Sequence, residues 1–157
     1  MLLRDTIKKY LTLNIIMDMD SRNSKVDKIR QIISNFEDGK ITVDVAVSQI
    51  NIIGYHQISE DYLQSYWESE NIDDFIGKII TEPIQDWQKI DDNQALLLLK
   101  ELIENIVDDA IFERNSEALE KRYAKSSGSI NNWLFHDNIM EPKEILKMLT
   151  HEDRIIL

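Results

Sequence analysis

Between Ser24 and Gly39, the apolar residues Val26, Ile29, Ile32, Ile33 and Phe36 recur at steps of three and four. That is the period of one face of an α-helix. Similar spacing returns through most of the chain, and little interrupts it, because 157 residues include only four Gly and two Pro. Such a chain is steered towards helix-on-helix packing, since sheets need period-two alternation and frequent turn residues. The expected fold is all-α: one acidic domain over residues 1–157, a bundle of about six to eight helices.

The helix punctuation is specific in places. Ser24 reads as an N-cap and Gly39 as the C′ glycine of the first well-marked helix. Thr42 opens a second segment holding Val43, Val47 and Ile50, which ends at Gly54. Ser59 opens a third, with Glu60 and Asp61 where the helix dipole favours negative charge. Asn71 or Asp73 opens a fourth, which must stop near Glu82 because Pro83 disfavours helical geometry before it. The longest helix is expected from Asp91 or Asp92 towards Lys125, with Asn115-Ser116 as its point of weakness and Gly128 at its end. Glu141-Pro142 opens the last. Leu11, Leu13, Ile15, Met17 and Met19 alternate in a strand-like way, so a short strand near the N-terminus competes with a helix there.

The longest apolar run, Ala95 to Leu99, is far short of the roughly 20 residues that span a bilayer. The stretch Leu11 to Met17 is interrupted by Thr12 and Asn14 and closed by Asp18 and Asp20, which is not an export signal. The absence of Cys excludes a disulfide framework, a thiolate zinc site and a cysteine nucleophile. A net charge of −11 argues against free nucleic acid as a ligand, because phosphate binding needs a basic footprint.

That charge is unevenly placed. Residues 41–117 hold four basic side chains (Lys78, Lys89, Lys100, Arg114) against 17 acidic ones, whereas the two flanks are close to balanced. Within the acidic stretch, carboxylates alternate with large aromatics: Asp61-Tyr62, Tyr66-Trp67-Glu68, Glu70, Asp73-Asp74-Phe75 and Asp86-Trp87. Trp67, Phe75 and Trp87 read most simply as core, with the acids as a solvated face. A clustered acidic field with Tyr and Trp anchors also suits a basic protein partner.

Few residues point to catalysis. His56, His136 and His151 show no metal-binding spacing, so neither a metal nor a cofactor is expected from them. Ser126-Ser127-Gly128-Ser129 reads as a helix end followed by a Ser cap, since no nucleophile elbow accompanies it. Glu101-x-x-Glu104 and Glu117-x-x-Glu120 could present four carboxylates to Mg²⁺ if they faced each other on two helices. They resemble the acidic signature of MazG-type nucleotide pyrophosphatases, but lack that family's doubled Glu before the first pair and its final Asp.

Phe36-Glu37-Asp38-Gly39-Lys40-Ile41-Thr42 and Ile58-Ser59-Glu60-Asp61-Tyr62-Leu63-Gln64-Ser65-Tyr66-Trp67 form a helix end, a Gly-containing turn, and an Ile-Ser opening of an acidic-aromatic helix. Over residues 30–80 this resembles helical bacterial immunity proteins, of the colicin D type and of contact-dependent growth inhibition systems. The resemblance implies a cytoplasmic, non-enzymatic helical protein without cofactor, which neutralises a cognate, basic, nuclease-type toxin domain by covering its active site. Asp61, Tyr62, Tyr66, Glu68, Glu70, Asp73 and Asp74 are then the expected partner-binding residues. The acids would mimic substrate phosphates and the desolvated aromatics would hold the partner. A helical adaptor that binds another protein is the first alternative, and a Mg²⁺-dependent MazG-like nucleotide pyrophosphatase the second.

Overall fold

The computed structural model describes residues 2–152, with side chains at residues 4–6 and from residue 21 onward. Among these residues the chain is all-α, with eight α-helices and two short 3-10 turns. No described helix is long and apolar enough to cross a membrane. The described chain falls into two compact units, residues 2–80 and 81–152, each with a hydrophobic cluster of its own.

The first unit contains α1 (Leu2–Glu37), α2 (Val43–Ile53), α3 (Glu60–Ser65) and α4 (Ile72–Ile80), with a 3-10 turn at Tyr66–Glu68 following α3. Helix α1 packs on α2 and α4, and α2 packs on α3. The stripe Ile29, Ile32 and Ile33 is buried in this core, with Val26 and Phe36 packed against it. Ala46, Ile50, Leu63, Phe75, Ile76 and Ile79 complete its centre. Gly39 ends α1 as expected. Its φ of +73° is the left-handed conformation that lets the Lys40 N–H reach back to the Asn35 carbonyl at 2.8 Å.

Side chains tie the loops down. Asn51 grips the Ile58 backbone twice, accepting from its N–H at 2.8 Å and donating to its carbonyl at 3.1 Å. The Ser59 hydroxyl accepts the Tyr62 N–H at 3.1 Å, the cap its position predicts. Asn71 does the same for Asp74 at 2.9 Å. Gly54 allows a close approach of backbones, since the Tyr55 N–H donates to the Ile79 carbonyl at 2.9 Å. A Cβ on Gly54 would collide with the Ile79 side chain and lie 3.1 Å from that carbonyl.

The second unit contains a 3-10 turn at Trp87–Lys89, then α5 (Asp92–Glu104), α6 (Asp109–Arg122), α7 (Ser129–Phe135) and α8 (Pro142–Thr150). Helix α5 packs on α6 and α8, and α6 packs on α7. Leu99, Leu102, Leu119, Ile130, Leu134, Ile145 and Leu149 form the centre of its core. Helix α5 opens with a reciprocal capping box between Asp91 and Gln94. Pro142 occupies the first turn of α8, where its missing N–H costs nothing.

Four expectations about boundaries change. No strand forms near the N-terminus, because α1 runs unbroken from Leu2 through the alternating segment. Ser24 is therefore an exposed residue inside a helix of 36 residues and does not cap one. The expected long helix is two helices, broken at residues 105–108 and not at Asn115-Ser116. The Asn105 side chain turns back to the Glu101 carbonyl at 2.8 Å, and Asp108 caps α6 through the Ala110 and Ile111 N–H groups. Asn115 instead lies wholly buried in α6 and donates to the Leu98 carbonyl of α5 at 3.0 Å. Gly128, with φ of +89°, opens α7.

Candidate functional site

The seven residues expected to bind a partner lie on α3, its 3-10 continuation, the short link after it (Glu70) and the start of α4, but they divide by depth. Asp61, Glu68 and Asp73 are exposed, and Asp74 is half-buried. Tyr66 is only 6% exposed and stacks on Phe75, with centroids 4.1 Å apart and ring planes 12° from parallel. Tyr62 meets the edge of the same ring at 5.1 Å. Both tyrosines belong to the wall of the core, so Tyr66 offers a partner almost no surface.

Glu70 is turned inward as well. Its carboxylate accepts a short hydrogen bond from the Tyr62 hydroxyl and pairs with the Lys78 ammonium at 2.5 Å. With its side chain 5% exposed, this carboxylate ties the link after the 3-10 turn to α3 and α4 and does not project into solvent. Burial, reinforced by the Glu70 hydrogen bond, pushes the Tyr62 phenol up to about 12. The hydroxyl therefore stays protonated at neutral pH and remains the donor to Glu70.

The residue missing from the expected set is Trp67. It is 67% exposed, while its indole N–H is satisfied by the Gln64 carbonyl at 2.9 Å. The chain tightens from α to 3-10 geometry at Tyr66, and the Ser69 N–H bonds to the Tyr66 carbonyl at 3.1 Å. A 3-10 turn advances each residue by a larger angle than an α-helix does. Tyr66 therefore keeps its place in the core while its neighbour is swung out. The accessible face carries Glu60, Asp61, Gln64, Trp67 and Glu68. Asp73 flanks it, in an exposed ion pair with Arg30 of α1, and the Asp74 carboxylate accepts from Asn71 at 2.9 Å.

The four glutamates of the pyrophosphatase-like signature lie on two helices that pack together, but their carboxylates do not converge. Glu101 is held by Arg114 at 2.5 Å and by Asn115 at 2.9 Å. Glu104 is exposed. Glu117 pairs with Lys121 at 2.8 Å. Glu120 is 6% exposed and accepts the backbone N–H groups of Gly128 at 3.2 Å and Ile130 at 3.0 Å. No group of three or more metal-ligating side chains occurs among the described residues.

No protein-family model, curated protein or solved structure matches the chain.

Proposed function

We propose that this chain is an immunity-type binding protein, which neutralises a basic, nuclease-like toxin domain through the acidic face around Trp67. The observation that carries the reading is a large aromatic ring, two-thirds exposed, in a short stretch of chain whose Asp61 and Glu68 are exposed as well. Exposed tryptophan is the side chain most enriched among residues that dominate binding energy. Carboxylates around it supply the field that steers a cationic partner and pair with its Arg and Lys once water is excluded. Tyr62, Tyr66 and Glu70 contribute by holding this surface rigid from beneath.

The experiment pairs this protein with the toxin-like domain encoded beside it and measures bacterial growth with and without co-expression. Rescue of growth supports the reading. A harmless neighbour, or toxicity that persists, moves the reading to a helical adaptor.

With the pair in hand, Trp67→Ala should weaken binding by about thirtyfold, the scale of an anchor residue. The triple change Asp61→Lys, Glu68→Lys and Asp74→Lys should chiefly slow association, and more so at low salt. An affinity unchanged at low salt in both variants, with far-UV circular dichroism intact, would remove this face from the interface.

A further inference from the structure

Helix α2 sends Ile50 and Ile52 to opposite sides. Ile50 is fully buried in the core of the first unit, whereas Ile52 is 84% exposed. Two residues make about 200° of turn on an α-helix, so both cannot face one core. Val45, seven residues before Ile52 and so on the same face, is exposed as well. Single exposed apolar residues are ordinary, but Ile52 does not stand alone. With Gln49 and Ile53 of α2, and Lys28, Gln31 and Ile32 of α1, it lines a groove of about 390 Å³ between the two helices.

The charge beside this groove runs against that of the molecule. Residues 21–80 hold six cations, of which Arg30, Lys40 and Lys78 each pair with a carboxylate. Arg22, Lys25 and Lys28 have no carboxylate partner among the described residues, in a chain with 29 acidic side chains against 18 basic ones. These three follow one another at three-residue steps along α1 and end at the groove, where Lys28 is part of the lining. Lys25 rests over the Tyr55 ring, 4.6 Å from its centroid. Asp27 is exposed and does not line the groove, and neither does any other carboxylate.

We propose that this groove docks an acidic amphipathic helix of a partner protein, with apolar side chains at steps of three and four residues and Asp or Glu along its flank. The apolar side chains fill the space between α1 and α2 and take Ile52 and Ile53 out of water. The carboxylates meet Lys25 and Lys28, with Arg22 beyond them. An anionic bilayer fits less well, because the surface is a groove and the net charge is −11. The proposal does not rest on the face around Trp67, since no lining residue belongs to α3 or its 3-10 continuation.

Fluorescence anisotropy of the full chain with a labelled, alanine-based peptide helix tests the groove. The peptide carries Leu at i, i+3, i+4 and i+7 and Glu on its flanks. Binding in the micromolar range is expected, at least tenfold weaker when Lys replaces Glu or Ser replaces Leu. Ile52→Ser and Lys28→Glu should each lower affinity about tenfold, and both side chains are exposed, so the fold should survive either change. Lys40→Glu, the same charge change outside the groove, should alter affinity less than about twofold. No binding up to about 100 μM overturns the proposal. Equal binding of the three peptides does so too, as does an affinity indifferent to Ile52→Ser and Lys28→Glu. Sedimentation with phosphatidylglycerol vesicles completes the test. Vesicle attachment that Ile52→Ser abolishes, with the peptide unbound, overturns the proposal and assigns the patch to a lipid surface.

Discussion

Replacing Phe75 with Ala is expected to lower the unfolding free energy by about 4 kcal/mol, the scale of truncating a fully buried aromatic. Few positions in the first unit should cost more. Phe75 is fully buried, stacked on Tyr66 and met edge-on by Tyr62. Its loss removes transfer free energy, opens a cavity and ends two aromatic contacts. Small domains hold only about 5–15 kcal/mol in total, so much of the margin would disappear. Urea unfolding followed by circular dichroism checks this. Phe75→Leu, which keeps most of the volume, should lose roughly half as much. A loss under about 1 kcal/mol for Phe75→Ala would be the size of an average substitution and would contradict this packing. Because Tyr62 and Tyr66 pack on Phe75 and belong to the same stretch as Trp67, the proposed binding at the Trp67 face should weaken along with stability.

Glu120→Ala should cost the second unit about 3 kcal/mol, since it leaves the backbone N–H groups of Gly128 and Ile130 without their charged acceptor. Helix α7 has seven residues and lacks a side-chain cap of its own, because Gly128 stands at its N-cap position. A helix that short depends on tertiary support. Glu120 supplies it from α6, ten residues before Ile130 in sequence. Glu120→Gln keeps one oxygen that can accept, so its cost should be about half. Glu117→Gln, one turn earlier on the exposed side, should stay within about 0.5 kcal/mol. Equal losses at Glu117 and Glu120 would show that general charge, and not this cap, supports α7.

Much of the local structure is legible in the sequence because its causes are local. Gly39, Ser59, Asn71, Asp91 and Pro142 act at or beside the positions their chemistry predicts, and the stripe from Val26 to Phe36 is the α1 face in the core. The misses share a different origin. Ser24 carries a cap residue's chemistry, but helix continues on both sides and nothing calls for a cap. Asn115-Ser116 has the composition of a helix breaker, yet Asn115 is satisfied by Leu98 and Glu101, 17 and 14 residues away in sequence. The true break at 105–108 lacks Gly and Pro altogether, and is made by Asn105 and Asp108 through backbone bonds.

The candidate face was legible as a segment but not residue by residue. Charge clustering marks residues 60–74, whereas depth within that segment depends on a single turn of 3-10 helix. That turn hides Tyr66 and presents Trp67. Glu70 and Glu120 read as exposed acids in the sequence because the lysine, the tyrosine and the backbone amides that take them inward belong to other elements.

The outward placement of Trp67 gives the molecule an optical handle. It is the sole indole in residues 1–80, and the other two, Trp87 and Trp133, are half-buried in the second unit. An indole bathed in water emits at longer wavelength than one enclosed by protein. Trp67 should dominate the red edge of the emission spectrum, and whatever settles on that face will expel the water that puts it there. Occupancy of the surface can then be followed as a blue shift, in the unlabelled protein and in real time.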